Sequence, residues 1–343
     1  MKIALLFGGI SYEHEISIVS SIALKDVLKY EKIYIFCDEK REFYLIDEKS
    51  MKSKTFSSYE YKKFPKLNLK SGGFYQKSLL GEKKTEFDLL LNVIHGADGE
   101  DGKIASMLDF FRVDYIGPGI EASVIGFNKL FTKLYAEQRG IKTLEYEVLR
   151  RGEYKSSFDF PIIVKPLRLG SSIGVSIVRK AEDLEYALDV AYEFDEEVLI
   201  EPFIEGVKEY NLAGCKAEDF VFSIVEEPKK EEFLDFEKKY LDFSRTQRVS
   251  KANIDKDKEN ALKEAFKKIY SNLFEGALIR CDFFMIEDEI FLNEINTVPG
   301  SYANYLFDDF NDVIQKLSSS LPSKKEIRID YKYINSIQKA KGK

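Results

Sequence analysis

Short apolar runs alternate along the chain with glycine, proline and polar residues, and the spacing of the apolar positions changes repeatedly from strand-like to helical. The opening run, residues 2–7, is typical of a buried strand, Gly8 and Gly9 end it, and residues 15–28 have helical spacing. Further elements are predicted as strands over residues 32–37 and 87–94 and a helix over residues 103–111. Residues 1–118 are therefore expected to form an α/β domain.

Two further units are predicted after the interruption at residues 117–119, Gly-Pro-Gly. The middle unit, residues 119–205, is expected to be α+β, and the third, residues 206–343, α/β. The middle unit is predicted to have helices over residues 128–139 and 181–192 and short strands around Leu144, Ile163, Val175 and Val198. The third is predicted to have strands near Leu212 and Phe222, a helix over residues 258–273, a hairpin over residues 277–295 and a terminal helix starting near Tyr302.

Composition limits the classes of partner. Of 343 residues, 44% are hydrophobic and 14% aromatic, enough for a large core. A balance of 52 basic against 59 acidic residues, net charge −7, argues against a nucleic-acid partner. The first apolar run is too short for a signal peptide or a membrane span, so we expect a cytoplasmic protein without a membrane partner. Cys37, Cys215 and Cys281 lack metal-binding or redox spacing and are interpreted as small apolar core residues.

Residues 226–259 form a long, highly charged stretch with weak periodicity. Loops of this length in compact domains are usually lids over a site or are disordered. Its aromatic residues, which argue against simple disorder because they can pack when a loop closes, are Phe233, Phe236, Tyr240 and Phe243. A functional lid and a solvated charged loop both remain open as interpretations.

The hairpin predicted in the third unit places its polar side chains on one face. If Asp288 centres the turn, Asp282 stands opposite Glu294. The same register sets Arg280 opposite Asn296, and alternation with period two puts all four on the same side. Opposed carboxylates repel unless a cation lies between them, and oxygen donors without histidine or cysteine favour Mg²⁺ completed by phosphate oxygens. The pattern therefore indicates magnesium and ATP, and the alternative is a polar face neutralised by Arg280.

Residues 164–174 are typical of a phosphate-binding loop. A strand ends in Lys165 and leads into glycine and serine residues whose backbone N–H groups can hold phosphate. The segment does not match GxxxxGK[ST], which excludes a P-loop, and a glycine-serine hairpin is the alternative. Lys129, at a predicted helix start, is a second phosphate contact or a surface lysine. Residues 201–204 offer backbone groups and an aromatic ring to adenine, or form an edge strand ending in proline.

Six segments, in the right order across most of the chain, resemble the motifs of the D-alanine:D-alanine ligase family. They are GGISYEHEIS (8–17), HGADGEDG (95–102), GFNKLFTK (126–133), VKPLRLGSSIGVS (164–176), RCDFF (280–284) and NEINTVPG (293–300). The resemblance implies a three-unit ATP-grasp fold with a Rossmann-like amino-terminal α/β domain and ATP between the second and third units. It also implies a cytoplasmic homodimer that joins two D-alanine molecules through an acyl phosphate, for the cell wall.

The resemblance implies roles for the residues that match these motifs. Glu13 would hold the ammonium group of the first D-alanine, supported by Ser171 and by Tyr240 from the lid, and His95 would lie near that substrate. The ATP-binding residues would be Lys129, Lys165, Ser172, Glu201, Phe203, Ile204 and Glu209, with Lys239 from the lid.

Further implied roles concern the hairpin and the segment that follows it. Two magnesium ions, which manganese can replace, would bind Asp282, Glu294 and Asn296. Arg280 and the Gly300 N–H would stabilise the tetrahedral intermediate. The second D-alanine would be bound by Ser301, Tyr305 and Leu306. Taken singly, some residues have plainer interpretations: Glu13 as a solvent-facing residue, His95 as a buried hydrogen-bonded histidine, and Tyr240 as a packing aromatic.

The chain departs from the family pattern at several positions. Pro202 stands where a long polar residue is common, and Leu167 and Leu169 make the phosphate loop more apolar than usual. Tyr305 lies where a serine commonly holds the carboxylate of the second substrate, so its hydroxyl would have to take that role.

Three rival functions remain to be weighed. A ligase that accepts D-lactate is disfavoured by Tyr240. A dinucleotide-dependent oxidoreductase is suggested by the first βα unit and by Asp38 after the second strand, but residues 8–13 lack the spaced glycines and Glu13 would repel a pyrophosphate. A non-catalytic nucleotide-binding regulator would not need Glu13, Arg280 and the acidic hairpin face together.

Overall fold

The structure, a computed structural model, describes residues 1–78, 81–228, 249–323 and 327–341. Within these residues the strands form one sheet of eight strands and two sheets of four. The mixed architecture of α/β and α+β parts agrees with the expected fold class. Among the helices of these residues, none has the length and apolar character needed to cross a membrane.

The eight-stranded sheet lies in the amino-terminal part. Its strands are β1 (Lys2–Gly8), β2 (Glu31–Cys37), β3 (Phe43–Ile46), β4 (Lys66–Lys70), β5 (Gly73–Ser78), β6 (Gly81–Lys84), β7 (Leu89–Asn92) and β8 (Tyr115–Ile116). Their order is β6-β5-β4-β3-β2-β1-β7-β8, with the last four parallel and the rest antiparallel. The helices here are α1 (His14–Val27), α2 (Ser53–Ser57) and α3 (Lys103–Phe110). Strand β1 is apolar on both faces because helices and loops cover both.

The second sheet has the order β11-β10-β12-β9 and is antiparallel. Its strands are β9 (Glu147–Arg150), β10 (Ile162–Pro166), β11 (Ser176–Val178) and β12 (Glu197–Pro202). Helix α6 (Leu184–Tyr192) packs on this sheet, whereas the preceding helices α4 (Ile120–Phe127) and α5 (Lys129–Gln138) contact residues 289–296 of the third sheet. Asn128 caps α5, because its Oδ1 accepts the N–H groups of Leu130 (3.0 Å) and Phe131 (3.2 Å). This cap sets Lys129 at the first helical position.

The third sheet, β14-β13-β15-β16, is also antiparallel. Its strands are β13 (Lys208–Lys216), β14 (Phe220–Glu226), β15 (Ile279–Ile286) and β16 (Glu289–Asn296), and the remaining described helices are α7 (Lys256–Tyr270), α8 (Phe310–Ser318) and α9 (Ile334–Lys341). One continuous core joins this sheet to one face of the amino-terminal sheet, including Phe7, Leu91, Tyr210, Phe266 and Ile314.

The β15–β16 hairpin has the predicted register at Asp282 and Glu294, but its turn differs from the predicted one and a bulge compensates for the difference. Its turn lies at Glu287 and Asp288, both with positive φ (51° and 64°), so Asp288 alone does not centre it. A bulge then shifts the register: Phe283 pairs with Leu292, but Asp282 pairs with Glu294. The extra residue between these pairs on β16 restores the predicted facing of the acidic side chains.

The segment after β16 is a tight turn, and the predicted start of the following helix near Tyr302 is wrong, although a helix does follow. Residues Gly300–Leu306 form a 3-10 stretch in which Ser301, Tyr302 and Ala303 have left-handed backbones (φ 48°, 54° and 50°), and α8 begins only at Phe310. The Tyr302 hydroxyl donates to the carbonyl oxygens of Asn92 (2.5 Å) and Ile116 (3.3 Å). Docking onto the amino-terminal sheet therefore overrides the helical tendency of this segment.

Other sequence predictions succeed with shifted ends or fail locally. The strand expected around Leu144 is instead β9, because the Leu144 carbonyl oxygen accepts from Lys133 Nζ (3.1 Å) and residue 142 bridges to Phe291. The antiparallel strands β3 to β6 were not predicted. Cys37, Cys215 and Cys281 are free and buried, as expected. The predicted aromatic residues of the lid, Phe233, Phe236, Tyr240 and Phe243, lie outside the described residues.

Candidate active site

Glu13 lies at the start of α1 and contacts the loop after β10. Ser171 Oγ donates to Glu13 Oε1 (2.5 Å), and the Glu13 N–H donates to Ser11 Oγ (3.0 Å). Only 4% of Glu13 is exposed, which excludes the solvent-facing interpretation. Burial raises the pKa of Glu13, although Ser171, the Gly170 backbone and Lys129 favour its charged form. A buried carboxylate in this position attracts a cation.

Two glycines allow the backbone to approach this carboxylate. A Cβ added to Gly96 would lie 2.5 Å from Glu13 Oε2, and one added to Gly170 would lie 2.9 Å from Glu13 Oε1. Gly96 also has a left-handed backbone, with φ 68°. Larger side chains at either position would therefore displace Glu13.

Glu100, in the motif at residues 95–102, was not singled out by the sequence. Its Oε1 accepts the Gly96 N–H (2.8 Å), and its Oε2 accepts Thr297 Oγ1–H (2.7 Å) and the Val298 N–H (3.1 Å). Burial and the charge of Glu13 raise the pKa of Glu100 to about 8, against the effect of these three donors. The sequence feature that could have identified Glu100 is its position as an acidic residue between two glycines of the motif.

His95 is buried and fully engaged in hydrogen bonds. Its Nδ1 donates to the Val93 carbonyl oxygen (2.7 Å), so its Nε2 accepts from Ser20 Oγ (3.4 Å). Ser20 Oγ in turn accepts the Ser301 N–H (3.1 Å). Burial lowers the pKa of His95 to about 4, which keeps the ring neutral. His95 is thus a buried, hydrogen-bonded histidine that contacts Ser20, the residue that links α1 to the turn after β16.

Lys129 holds the loop after β10. Its Nζ donates to the carbonyl oxygens of Pro166 (2.9 Å) and Leu169 (2.5 Å), so it is not an ordinary surface lysine. Burial lowers the pKa of Lys129 to about 8, although Glu294, Glu13 and Glu201 oppose this. The side chains of Leu167 and Leu169 are buried, so their apolar character serves packing within the loop. Ser171 and Ser172 have left-handed backbones (φ 54° and 55°).

Lys165 shares a carboxylate with a lysine that the sequence did not single out. Lys165 Nζ lies 2.6 Å from Glu201 Oε2, and Lys133 Nζ lies 2.5 Å from Glu201 Oε1. Burial works against all three charges, yet the two lysines lower the pKa of Glu201, and Glu201 raises the pKa of Lys165. One carboxylate cannot compensate two ammonium groups fully, and burial lowers the pKa of Lys133. Lys133 follows Lys129 by four residues on one helix face, which was its signal.

The predicted adenine connector lies at the end of β12. The Phe203 N–H donates to the Pro161 carbonyl oxygen (3.0 Å), and the guanidinium of Arg179 lies 5.9 Å from the Phe203 ring centre. Phe203 and Ile204 are half-buried, and Pro202 pairs with Ile162 as the last residue of the strand. Glu209, on β13, raises the pKa values of both Lys165 and Asp282, so it faces the same region.

The acidic face of the β15–β16 hairpin forms as predicted. Arg280 donates Nε and Nη2 to the two oxygens of Asp282 (both 2.7 Å), and Asn296 Nδ2 donates to Asp282 Oδ2 (3.0 Å). Asn296 Nδ2 lies 3.5 Å from Glu294 Oε1. Burial and the neighbouring Glu294 and Glu209 raise the pKa of Asp282 to about 7, against Arg280. Although burial opposes it, Asp282 raises the pKa of Arg280.

This donor set can accommodate a hard cation. In the described part of the chain, no cluster of three or more His, Cys, Asp or Glu side chains that could hold a metal occurs. The candidates are two carboxylates, Asp282 and Glu294, with the Asn296 amide. Mg²⁺ commonly binds one or two carboxylates and takes its other ligands from phosphates and water. Each carboxylate oxygen has two lone pairs, so Asp282 can accept Arg280 and still bind an ion.

The turn after β16 supplies the remaining predicted residues. Gly300, Ser301 and Leu306 are buried, and Leu306 packs in the main core. Arg280 Nη1 lies 3.4 Å from the Tyr305 hydroxyl, so Tyr305 adjoins the acidic face. Lys239 and Tyr240 lie outside the described residues, so their predicted roles stay predictions.

Asp38 does not support dinucleotide binding. It is buried, and its Oδ1 accepts the N–H groups of Lys40 and Glu42 (both 2.9 Å), which closes the turn after β2. A carboxylate engaged in its own turn is not presented to a ribose. A second buried aspartate, Asp98, is held by Arg41 (2.9 and 3.0 Å) and accepts the Ile10 N–H (3.0 Å), which ties the loop after β1 to the loop after β7.

Segments distant in the chain therefore surround one polar region with buried charges of both signs. Glu13 interacts electrostatically with Lys129 and Glu294, and Lys165 with Glu201 and Glu294. Lysines and loop N–H groups suit phosphates, while an arginine beside carboxylates suits an anion formed at a carbonyl. The arrangement can activate a carboxylate by phosphoryl transfer.

Comparisons with known proteins agree with this chemistry. The family described as D-ala D-ala ligase N-terminus matches residues 2–118, and the family described as D-ala D-ala ligase C-terminus matches residues 135–310. The D-alanine–D-alanine ligase of Wolinella succinogenes is 60% identical over 100% of both chains.

Solved structures give the same result. The crystal structure of D-alanine–D-alanine ligase from Helicobacter pylori has a TM-score of 0.85 and 52% identity, covering 95% of this chain and 100% of that one. The VanG D-Ala:D-Ser ligase from Enterococcus faecalis has a TM-score of 0.73 at 24% identity, covering 93% and 97% of the two chains, which shows a shared fold.

We predict that Lys133→Met lowers the free energy of unfolding by about 2 kcal/mol, because Glu201 Oε1 loses a buried hydrogen-bond donor, while Lys165 still compensates the charge of Glu201. Urea denaturation measures the change. Lys142→Met is the matched control, since Lys142 and Glu289 form an exposed pair and its loss costs at most about 0.5–1 kcal/mol. Equal effects of the two substitutions would contradict a stabilising role for the buried cluster.

Proposed function

The chain belongs to the D-alanine–D-alanine ligase family, and from this premise we propose which of its residues carry each step of the reaction. Its activity is the ATP-dependent joining of two D-alanine molecules for peptidoglycan synthesis. The observation that carries the proposal is the convergence of Glu13, Lys129, Lys165 and Glu294 on one region, from four separate parts of the chain.

In the first step, the carboxylate of one D-alanine takes the γ-phosphoryl group of ATP, and an acyl phosphate and ADP result. Glu13, with Ser171 donating to it, holds the substrate ammonium group. Lys129 and Lys165 neutralise the phosphates, because phosphoryl transfer depends mainly on positioning and electrostatics. Lys165 pairs with Glu201 before ATP binds and would contact a phosphate afterwards, so its ammonium group has a negatively charged partner in both states. Ser172, Phe203, Ile204 and Glu209 complete the ATP site.

In the second step, the amine of the other D-alanine attacks the acyl carbon, and the bond to phosphate breaks. Arg280 and the Gly300 N–H stabilise the negative oxygen that develops. Tyr305, whose hydroxyl lies near Arg280, and Ser301 bind the carboxylate of this second substrate, with Leu306 packed behind them. His95 would lie near the first substrate, and through Ser20 it also supports the turn that carries Ser301.

We infer that Asp282, Glu294 and Asn296 hold two magnesium ions, which manganese can replace. The ions would supply positive charge to the phosphate oxygens during transfer. Support comes from the opposed carboxylates of Asp282 and Glu294 and from the Asn296 amide, which lies close to both. Arg280 already forms one bond to each Asp282 oxygen and orients it.

Further parts of the proposal concern the rest of the molecule. We propose units at residues 1–118, 119–205 and 206–343, and the three sheets fall in residues 2–116, 147–202 and 208–296. A lid within residues 226–259 would bring Lys239 and Tyr240 to the site and exclude water. We also propose a homodimer located in the cytoplasm, where ATP is available. Analytical ultracentrifugation tests the oligomeric state, and a molecular mass equal to that of one chain would refute the dimer.

A phosphate-release assay tests the function. With ATP and Mg²⁺, D-alanine should elicit phosphate release with one dipeptide formed per phosphate, while L-alanine or no amino acid should not. A mixture of D-lactate and D-alanine tests the alternative of ester formation. Phosphate release that does not depend on D-alanine would overturn the proposed reaction.

We predict that Glu294→Gln lowers kcat by about 100-fold or more, because it removes one charge from the proposed metal site at nearly constant shape. Steady-state rates over a range of Mg²⁺ concentrations measure the effect. Glu289→Gln, on the same strand but exposed and paired with Lys142, is the control and should behave as the wild type. Near-normal turnover of Glu294→Gln at low Mg²⁺ would contradict the metal assignment.

We predict that Tyr305→Phe lowers the affinity for the second D-alanine by roughly 10- to 150-fold, because one hydrogen bond to a charged group is lost. The Michaelis constants for ATP and the first D-alanine should stay close to wild type, and rates fitted against D-alanine concentration separate the two sites. Tyr331→Phe, an exposed tyrosine, is the control. An unchanged second constant would mean that the ring only packs there and that Ser301 or a backbone N–H binds the carboxylate.

A further inference from the structure

Glu100 lies where the amino-terminal sheet meets the turn after β16, and the mechanism above assigns it no role. One of its oxygens accepts the Gly96 N–H (2.8 Å), from the loop after β7. The other accepts Thr297 Oγ1–H (2.7 Å) and the Val298 N–H (3.1 Å), from the carboxy-terminal part of the chain. Its carboxylate therefore bridges segments almost two hundred residues apart in the chain.

Each side of this bridge leads directly to a group used in the reaction. Gly96 packs against Glu13, because a Cβ on Gly96 would lie 2.5 Å from Glu13 Oε2. On the other side, Val298 is separated from Gly300 only by Pro299, whose ring restricts the backbone. A shift of Glu100 would therefore move the Gly300 N–H relative to Glu13.

Thr297 has a second contact that fixes the same junction. A Cβ added to Gly126 would lie 2.2 Å from the Thr297 Cγ2 methyl, so this methyl occupies the space that Gly126 leaves. Thr297 thus contacts Glu100 through its hydroxyl and the end of α4 through its methyl. Lys129 follows Gly126 by three residues, so the junction also adjoins the phosphate-binding part of the site.

We propose that Glu100 is a positioning residue, which holds the Gly300 N–H at the distance from Glu13 that the acyl phosphate spans. The inference rests on the proposed function, because it assumes that the first D-alanine binds at Glu13 and that Gly300 stabilises the intermediate. A displaced Gly300 would slow attack by the second D-alanine, since an error of about 1 Å in position can cost about 100-fold in rate.

The consequence is a loss of coupling. If the amine attacks slowly, water competes: its oxygen bonds to the acyl carbon, the bond from that carbon to the phosphate oxygen breaks, and D-alanine and phosphate are released. ATP is then consumed without a dipeptide. A general loss of stability would instead reduce the amount of active enzyme without changing the ratio of phosphate to dipeptide.

Glu100→Gln tests the proposal because an amide has one acceptor oxygen. The Gly96 and Val298 N–H groups donate to different oxygens of Glu100, so either orientation of the amide sets its NH₂ against an N–H. We expect kcat to fall by about 100-fold, the Michaelis constant for ATP to change little, and the phosphate-to-dipeptide ratio to rise above one. Thr297→Val should lower kcat by about 10-fold, with the same rise in the phosphate-to-dipeptide ratio and little change in the Michaelis constant for ATP. The double variant should lose less than the product of the two single effects, because both changes act on the same junction.

Two control variants separate the loss of the Glu100 contacts from a general effect of substitution. Thr297→Ser keeps the hydroxyl and should keep the ratio near one, and Asp101→Asn, a neighbouring carboxylate that binds Lys103, should behave as the wild type. A ratio of one in both Glu100→Gln and Thr297→Val would overturn the proposal, even if kcat falls. If Glu100→Gln does not fold, Thr297→Val decides alone. A wild-type enzyme without D-alanine-dependent phosphate release would refute the proposed function instead.

Discussion

The turn after β16 depends on hydrogen bonds from the amino-terminal part of the chain, and the geometry of the site depends on that turn. Three consecutive residues, Ser301 to Ala303, adopt the left-handed conformation, which costs each of them roughly 1–2 kcal/mol of conformational energy. Glu100, Ser20 and the carbonyl oxygens that accept from Tyr302 offset that cost with buried hydrogen bonds. Gly300 and Tyr305 are consequently presented by a segment that could not hold its shape alone.

Several charged groups of the site have polar or charged partners within the chain. Lys129 is held by carbonyl oxygens, Lys165 by Glu201, and Asp282 by Arg280. Unpaired buried charges would cost several kcal/mol, so these contacts stabilise the arrangement of the site. A nucleotide with its phosphates can replace the partners of the lysines, because phosphate oxygens are stronger acceptors than carbonyl oxygens.

Two local irregularities direct side chains to this region. The bulge on β16 corrects a register that the two-residue turn at Glu287 and Asp288 would otherwise shift by one, and so sets Glu294 opposite Asp282. A shift of one residue would have turned Glu294 to the opposite face. The left-handed Ser171 similarly turns the loop after β10 toward Glu13.

Local features of the sequence determined a large part of this protein. Apolar periodicity predicted β1, α1, β10 and the β15–β16 hairpin, because strand alternation and helical spacing are properties of short segments. The motifs identified Glu13, Lys129, Lys165 and Asp282. Only the tertiary structure decided that Tyr302 lies in a left-handed turn and not at the start of a helix, that Lys133 shares Glu201 with Lys165, and that Glu100 joins Gly96 to Thr297. These contacts link residues far apart in the chain, and their energies arise from burial and hydrogen bonding that no local pattern encodes.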